Sequence, residues 1–242
     1  MTRLATTKRR IRVERASSGR GKSLPADGPR LARDWFAMSA DRLAPRLLGQ
    51  RLVRILVDGT RLSGIIVEVE AYLGAKDRAA HTFNGRRTER NEAMYGPPGT
   101  AYVYFTYGMH YCVNIVCGRR RVGSDAPGEA VLIRAIEPVE GLEVMRNHRK
   151  TRHDGRSARR AGVEIPDSHL CSGPAKLCRA MEITRGQNGA DLVEGEALFI
   201  EKGRTPGRGD IRRSPRIGVD YAREWAAAPL RWFAASSEHV CR

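Results

Sequence analysis

The sequence predicts an α+β fold, a single domain organised on a mainly antiparallel sheet. Paired β-branched runs joined by turn signals point to hairpins, and strands do not alternate strictly with helices. The 242 residues, 41% of them hydrophobic, suffice to bury one sizeable core. The expected division is a basic, disordered tail over residues 1–30 and a folded domain over 31–242.

After Pro29, the residues Leu31, Trp35, Phe36, Leu43 and Leu47 recur at roughly helical spacing. They predict a helix over 32–48, closed by Gly49. Runs at 52–57 and 64–73 flank Asp58-Gly59 and read as a β-hairpin. Runs at 101–106 and 111–116 form a second hairpin around Tyr107-Gly108-Met109-His110. A strand over 130–136 should lead into a helix that begins after Pro138 and runs toward Asn147. Residues 171–183 read as a further helix, 197–202 as a strand, and 216–219 as a short closing strand.

Lys and Arg number 43 against 27 acids, a formal charge of +16. That balance attracts polyanions and favours nucleic acid or an anionic membrane surface. The charge is localised: residues 1–30 carry nine basic residues against two acids, 146–160 seven against one, and 202–216 six against one. These three stretches exceed the net charge of the whole chain, so the remainder is slightly acidic. A tail of Ser, Gly and Arg without periodic apolar residues cannot repay the entropy of ordering, and solvation accounts for its charge as well as phosphate contact does. The two inner loops are better placed to contact a backbone.

No stretch approaches the roughly 20 consecutive apolar residues of a membrane helix, so no membrane role is expected. The basic start lacks the apolar segment of a secretory signal, and it suits a DNA-binding tail better than an organellar transit peptide. Cys112, Cys117, Cys171, Cys178 and Cys241 are odd in number and widely spread, the pattern of reduced thiols, and their spacings are not those of a zinc site. Neither metal nor cofactor is expected.

In Val67-Glu68-Val69-Glu70-Ala71-Tyr72 the two-residue period puts Glu68, Glu70 and Tyr72 on one strand face and apolar residues on the other. The same rule groups Tyr102, Tyr104 and Thr106, and sets Asn114 between Cys112 and Val116 on the returning strand. Tyr107 sits at the turn beside Gly108, which can take a positive φ and hold the ring outward. Taken singly, a strand tyrosine is ordinarily a packing residue and His81 an ordinary polar one. Glu70 in an apolar strand is different, because a buried carboxylate needs a partner or a purpose. Arg134, between Ile133 and Ala135, is a candidate partner.

The ordered motifs Glu70-Ala71-Tyr72-Leu73-Gly74, Asp77, Ala80-His81, Arg90-Asn91, Pro98-Gly99-Thr100, Tyr102-Val103-Tyr104, Tyr107-Gly108-Met109 and Asn114 resemble the alkyladenine (3-methyladenine) DNA glycosylase family. Arg134-Ala135, Glu137-Pro138, Leu142-Glu143, Met145-Arg146, Leu170 to Pro174, Lys176 to Cys178, Pro215-Arg216 and Gly218-Val219 extend the resemblance over about 31–234. It implies a curved sheet flanked by helices, with a protruding β-hairpin that inserts into DNA. It further implies a monofunctional enzyme that flips alkylated or deaminated purines out of duplex DNA and hydrolyses the N-glycosidic bond, leaving an abasic site. The substrates would be of the 3-methyladenine, 7-methylguanine, hypoxanthine and ethenoadenine class. By resemblance Glu70 is the general base that activates water, and Arg134 helps hold that water. Tyr72, His81 and Tyr104 wall the base pocket, Asn114 borders it and helps reject guanine, Tyr107 is the wedge, and Met109 lies beside it. Arg86, Arg90, Arg119, Arg120 and Lys176 are candidate DNA-backbone contacts. The implied partner is double-stranded DNA containing damaged purines, met by a monomer in the cytoplasm (nucleoid) of a bacterium or in the nucleus or an organelle of a eukaryote. The loop over 117–129 looks longer than its family counterpart, the 146–160 region differs, and Thr106 and His110 depart from the apolar or aromatic residues often found beside the wedge.

Residue chemistry fits this reading. A base inside the stack is inaccessible, and aromatic contacts offset the few kcal/mol of unstacking. A wedge at a hairpin tip would kink the duplex and open its phosphates to basic loops. Charge alone would serve a non-catalytic DNA- or RNA-binding protein equally well, but the intact Glu70 and Arg134 argue against that. A folate-type formyltransferase domain, suggested by architecture alone, would need no Tyr-tipped hairpin.

Overall fold

The computed structural model describes residues 28–119, 128–150 and 164–241. The tail up to residue 27, most of the 117–129 loop with Arg120, and residues 151–163, which include most of the basic 146–160 stretch, lie outside the described residues. Pro29 to Leu31 run alongside residues 200–202, where the Lys202 N–H donates to Pro29 O and the Leu31 N–H to Ile200 O.

Eight antiparallel strands form one curved sheet: β1 (Arg51–Ile55), β2 (Arg61–Tyr72), β3 (Ala101–Thr106), β4 (His110–Cys117), β5 (Glu129–Glu140), β6 (Leu198–Glu201), β7 (Ile211–Ser214) and β8 (Arg231–Ala234). Their main order is β3-β4-β5-β2-β1-β6. The twelve-residue β2 serves two neighbours along one edge: residues 61–65 pair with β1, and Glu68, Val69 and Glu70 pair with β8. Its other edge pairs with β5 along its length.

That β2–β5 pairing carries the irregularities on which the site depends. Its register passes from Ile66↔Ile136 to Glu68↔Ala135 and then to Val69↔Ile133, so Val67 on one strand and Arg134 on the other are extra residues. Extra residues bend strands and re-aim side chains. The core face shifts with them: Leu62 and Ile66 face the main core before the irregularity, Val69 and Ala71 after it, while Val67 packs separately with Ala135, Ala234 and Val240.

Among the described residues, five α-helices accompany the sheet: α1 (Arg33–Phe36), α2 (Ala40–Leu47), α3 (Leu142–Lys150), α4 (Asp167–Leu170) and α5 (Pro174–Ala180). In α2, Ala40, Leu43, Ala44 and Leu47 form one buried stripe at i, i+3, i+4, i+7. It packs, with Leu177, Cys178 and Ala180 of α5, on the face carrying Val69, Ala71, Ala101, Val103, Val113, Ile115, Val131 and Ile133. The opposite face carries Glu70, Tyr72, Tyr102, Tyr104, Asn114, Leu132 and Arg134.

Several sequence expectations need correction. The helix expected over 32–48 is two helices, because the chain turns out at Ala37 (ψ 53°) and restarts at Ala40, whose N–H donates to Glu129 Oε2 at 2.7 Å. Gly49 does end it, at φ 82°. The strand expected to stop at residue 136 runs through Pro138 to Glu140, tolerated because Pro138 sits at another register shift opposite Gly64. The helix expected over 171–183 begins only at Pro174, after Gly173 at φ 133°. The predicted closing strand over 216–219 is a bend, and the closing strands are β7 and β8.

Two irregular segments, 73–98 and 215–230, lie over the polar face. A buried ion pair joins them: Arg216 Nη1 meets Asp77 Oδ2 at 2.5 Å and Nη2 meets Oδ1 at 2.9 Å, a two-pronged contact with neither side chain exposed. Asp77 also accepts from the Leu73 and Ala79 N–H groups. Asp77→Ala would strand a buried guanidinium, and removing one partner of such a pair costs about 3–5 kcal/mol. Thermal and urea unfolding should therefore show a large loss in Asp77→Ala; a midpoint within a degree of wild type contradicts this role for the pair.

Candidate active site

The polar face of β2–β5 floors a cavity of about 330 Å³, at the small end of the roughly 300–1,000 Å³ typical of ligand sites. Tyr72, Leu132, Arg134, Asn114, Cys112, Tyr102 and Tyr104 line it from the sheet. Ala79, His81 and Met94 line it from the first irregular segment, Ile217, Gly218, Val219 and Tyr221 from the second, and Pro174 and Ala175 from the start of α5. Thr106, Tyr107 and His110 belong to the hairpin at its mouth.

Glu70 lies beneath this cavity with no exposed surface. Its Oε1 accepts from the Ile217 N–H at 2.8 Å and stands 3.1 Å from Arg134 Nη1, and its Oε2 accepts from the Tyr72 hydroxyl at 2.9 Å. All these neighbours present protons to it, so they complement a carboxylate. Arg134 is shared: its Nε donates to Glu68 Oε1 at 2.8 Å. Burial would lower the Arg134 pKa, but Glu70 and Glu68 outweigh it and hold the guanidinium above its ordinary value. Arg134 therefore keeps its positive charge in the site.

The aromatic walls are fixed from behind. Arg216 stacks 4.8 Å from the centroid of the Tyr72 ring, so the Asp77–Arg216 pair also supports that wall. Burial, then the charge of Glu70, pushes the Tyr72 pKa well up, so its hydroxyl remains a donor. His81 meets Tyr104 edge-on at 4.6 Å, and its Nδ1 lies 2.7 Å from the Tyr102 hydroxyl. Partial burial, with Arg90 and Arg86 nearby, lowers the His81 pKa, so the ring is neutral at physiological pH. Asn114 is buried, with Nδ2 donating to Tyr102 O at 3.0 Å, which fixes the orientation of its amide.

At the hairpin tip Tyr107 is 82% exposed and has φ 50°, an uncommon conformation for a residue with a Cβ. Gly108 follows at φ 64°, with open space around any Cβ placed there. Met109 is exposed but lines an adjacent groove with His110 and Tyr111 rather than the cavity.

The structure thus gathers Arg134, Tyr72, His81, Tyr104, Asn114 and Tyr107 at one cavity, sets Glu70 beneath it in contact with Arg134 and Tyr72 but not among the lining residues, and sets Met109 apart. Arg86 and Arg90 line a neighbouring hollow with Arg78, and Arg90 Nη2 donates to Phe105 O. Exposed Arg119 donates to Ala37 O, and Lys176, on the α5 turn beside the cavity, reaches Ser172 Oγ at 3.3 Å. Sequence reasoning assigned no role to the second irregular segment, although Pro215-Arg216 and Gly218-Val219 had stood out as motifs. It also missed Tyr102 as the partner of His81, and Glu68 and Arg231 as partners of Arg134. Among the described residues no group of His, Cys, Asp or Glu is arranged to hold a metal ion, and no helix is long and apolar enough to cross a membrane.

Comparison with known proteins agrees with this geometry. The family model described as methylpurine-DNA glycosylase matches residues 34–238. A human protein named DNA-3-methyladenine glycosylase is 45% identical over 212 residues, covering 87% of this chain and 67% of its own length. Its mouse counterpart is 43% identical, with 87% and 61% covered. A Clostridium acetobutylicum protein named putative 3-methyladenine DNA glycosylase is 46% identical over 197 residues, covering 81% of this chain and 89% of its own. The chain spans about two thirds of the length of the mammalian relatives and most of the bacterial one. With a family match over most of its residues and relatives well above 40% identity, the chain belongs to the methylpurine-DNA glycosylase family and is a DNA glycosylase of base excision repair.

Proposed function

We propose that the protein extrudes a damaged purine from duplex DNA into the Tyr72–His81–Tyr104 cavity and hydrolyses its N-glycosidic bond with water activated by Glu70. The observation that carries this is a fully buried carboxylate under a base-sized aromatic cavity, held by Tyr72, Ile217 and Arg134. In the step proposed, water oxygen bonds to C1′ while the C1′–N bond breaks with its electrons passing to the purine. Glu70 accepts the proton of the water. A cationic base such as 3-methyladenine leaves neutral, whereas hypoxanthine must also gain a proton. Arg134 holds the water beside Glu70. Among the described lining residues there is no lysine to act as a Schiff-base nucleophile.

The exposed Tyr107, held outward by two successive positive-φ residues, is suited to fill the gap left by the extruded nucleotide. Conformational strain held at such a tip is common where a residue acts. Arg86, Arg90, Arg119, Arg120 and Lys176 supply positive charge for the phosphates, and the tail adds to it. The discriminating experiment is incubation of the full chain with a hypoxanthine-containing or alkylated duplex. Release of free purine with the strand left intact supports a monofunctional glycosylase. Tight binding without release points instead to a non-catalytic DNA-binding protein.

Glu70→Gln should leave cavity shape and DNA affinity largely intact while slowing single-turnover excision by roughly 10²–10⁴-fold, the usual effect of losing a general base. Wild-type excision by that variant removes Glu70 from the role. Tyr107→Ser should reduce base extrusion, read by the fluorescence of a stacked base analogue, because the vacancy in the duplex goes unfilled. Equal extrusion amplitudes in the two proteins contradict a wedge at the hairpin tip.

A further inference from the structure

Arg134 meets Glu70 through Nη1 at 3.1 Å, and its Nε is committed elsewhere. That nitrogen donates at 2.8 Å to Glu68 Oε1, and the same oxygen accepts from Arg231 Nε at 2.7 Å. Glu68 has no exposed surface. Its second oxygen accepts from the backbone N–H of Cys241 at 2.6 Å, and Arg231 Nη2 in turn donates to Cys241 O at 3.2 Å. Val240, one residue earlier, packs with Val67 and Ala135, which flank Glu68 and Arg134 at the two opposed bulges. Glu68 does not line the cavity.

Stability alone explains this arrangement poorly. Buried ion pairs recover little more than their desolvation cost, and apolar residues of similar volume often serve as well. The geometry does something apolar residues could not. Arg134 is the extra residue of a bulge, its direction is not set by regular strand pairing, and a guanidinium on a flexible stem needs a second anchor to present one nitrogen at a fixed place. Glu68 provides that anchor at Nε, a different nitrogen from the one that meets Glu70. The Cys241 N–H and Arg231 keep the anchor from turning.

We propose that Glu68, clamped by Arg231 and by the backbone of the C-terminal segment at Cys241, is a positioning residue that aims Arg134 at Glu70 and so sets the rate of hydrolysis rather than the affinity for DNA. This rests on the reading that Arg134 holds the attacking water. Both oxygens of Glu68 face donors only, so an amide in its place turns at least one hydrogen bond into a donor–donor clash. The cleavage rate is sensitive to such a change, because displacement of a reacting group by about 1 Å can cost roughly 10²-fold.

The test is a double-mutant cycle on the full chain, read as single-turnover excision rate and separately as affinity for a duplex carrying an uncleavable damaged-base analogue. Glu68→Gln should lose roughly 10²-fold in rate with affinity unchanged, and in an Arg134→Ala background the same substitution should change the rate by less than about twofold, since its effect runs through an arginine no longer present. A wild-type rate in Glu68→Gln, or an equal loss in both backgrounds, overturns the proposal. A wild-type rate in Arg134→Ala alone strikes the role of Arg134 itself and takes the proposal with it, so the two failures are distinguishable. If Glu68→Gln does not fold, Cys241→Pro, which lacks the backbone donor, is compared with Cys241→Ala, which keeps it. The proline variant should be markedly slower than the alanine variant at equal affinity, and equal rates overturn the proposal.

Discussion

Everything at this site depends on one buried run of alternating charge, Glu70–Arg134–Glu68–Arg231, laid across β2, β5 and β8. Taking charges out of water costs several kcal/mol per ion, and the cost is met only when every oxygen and nitrogen finds a partner. Here one partner is a tyrosine two residues along the strand, while others come from far away in the chain: the Ile217 N–H for Glu70 and the Cys241 N–H for Glu68. The site therefore cannot form before the sheet does.

The two opposed bulges make this possible. Regular pairing would place Arg134 in the ladder across from a fixed neighbour. The extra residues Val67 and Arg134 shift the phase of both strands, so Ile66 and Ile136 belong to the main core on one side of the shift, and Val69 and Ile133 on the other. Apolar burial continues uninterrupted along one face while the charged run crosses the other. A second buried pair, Asp77–Arg216, fastens the irregular cover above it and backs Tyr72 through its ring. One surface thus carries the buried Glu70 carboxyl group, and aromatic side chains wall the cavity above it.

Much of the site could be read in the sequence because it obeys strand periodicity. Glu68, Glu70 and Tyr72 do share a face, with Arg134 meeting both carboxylates, Tyr102 and Tyr104 lie together, and Asn114 does lie between Cys112 and Val116 on the returning strand. Both hairpins were visible from Asp58-Gly59 and from the glycine beside Tyr107. What escaped was set by contacts distant in sequence. The bulges leave no mark in a local pattern, since Val67 and Arg134 look like ordinary strand residues until their partners are known. The break between α1 and α2 depends on a carboxylate ninety residues away capping Ala40, and residues 216–219 resemble a strand until the Ile217 N–H is seen to serve Glu70. Pro138 suggested a helix start, yet the strand passes through it at a shift in register.

In the proposed mechanism the buried Glu70 carboxylate faces the sugar carbon from which the purine departs, and so favours the positive charge that develops there as the bond breaks. A catalyst binds the charged transition state more tightly than the neutral ground state. The direct measurement is the affinity of the protein for two otherwise identical duplexes, one carrying a cationic pyrrolidine in place of the target sugar and the other a neutral tetrahydrofuran. Tighter binding of the pyrrolidine duplex, with the preference lost in Glu70→Gln, is the predicted result. Equal affinity for the two duplexes, or a preference that survives in Glu70→Gln, would contradict it.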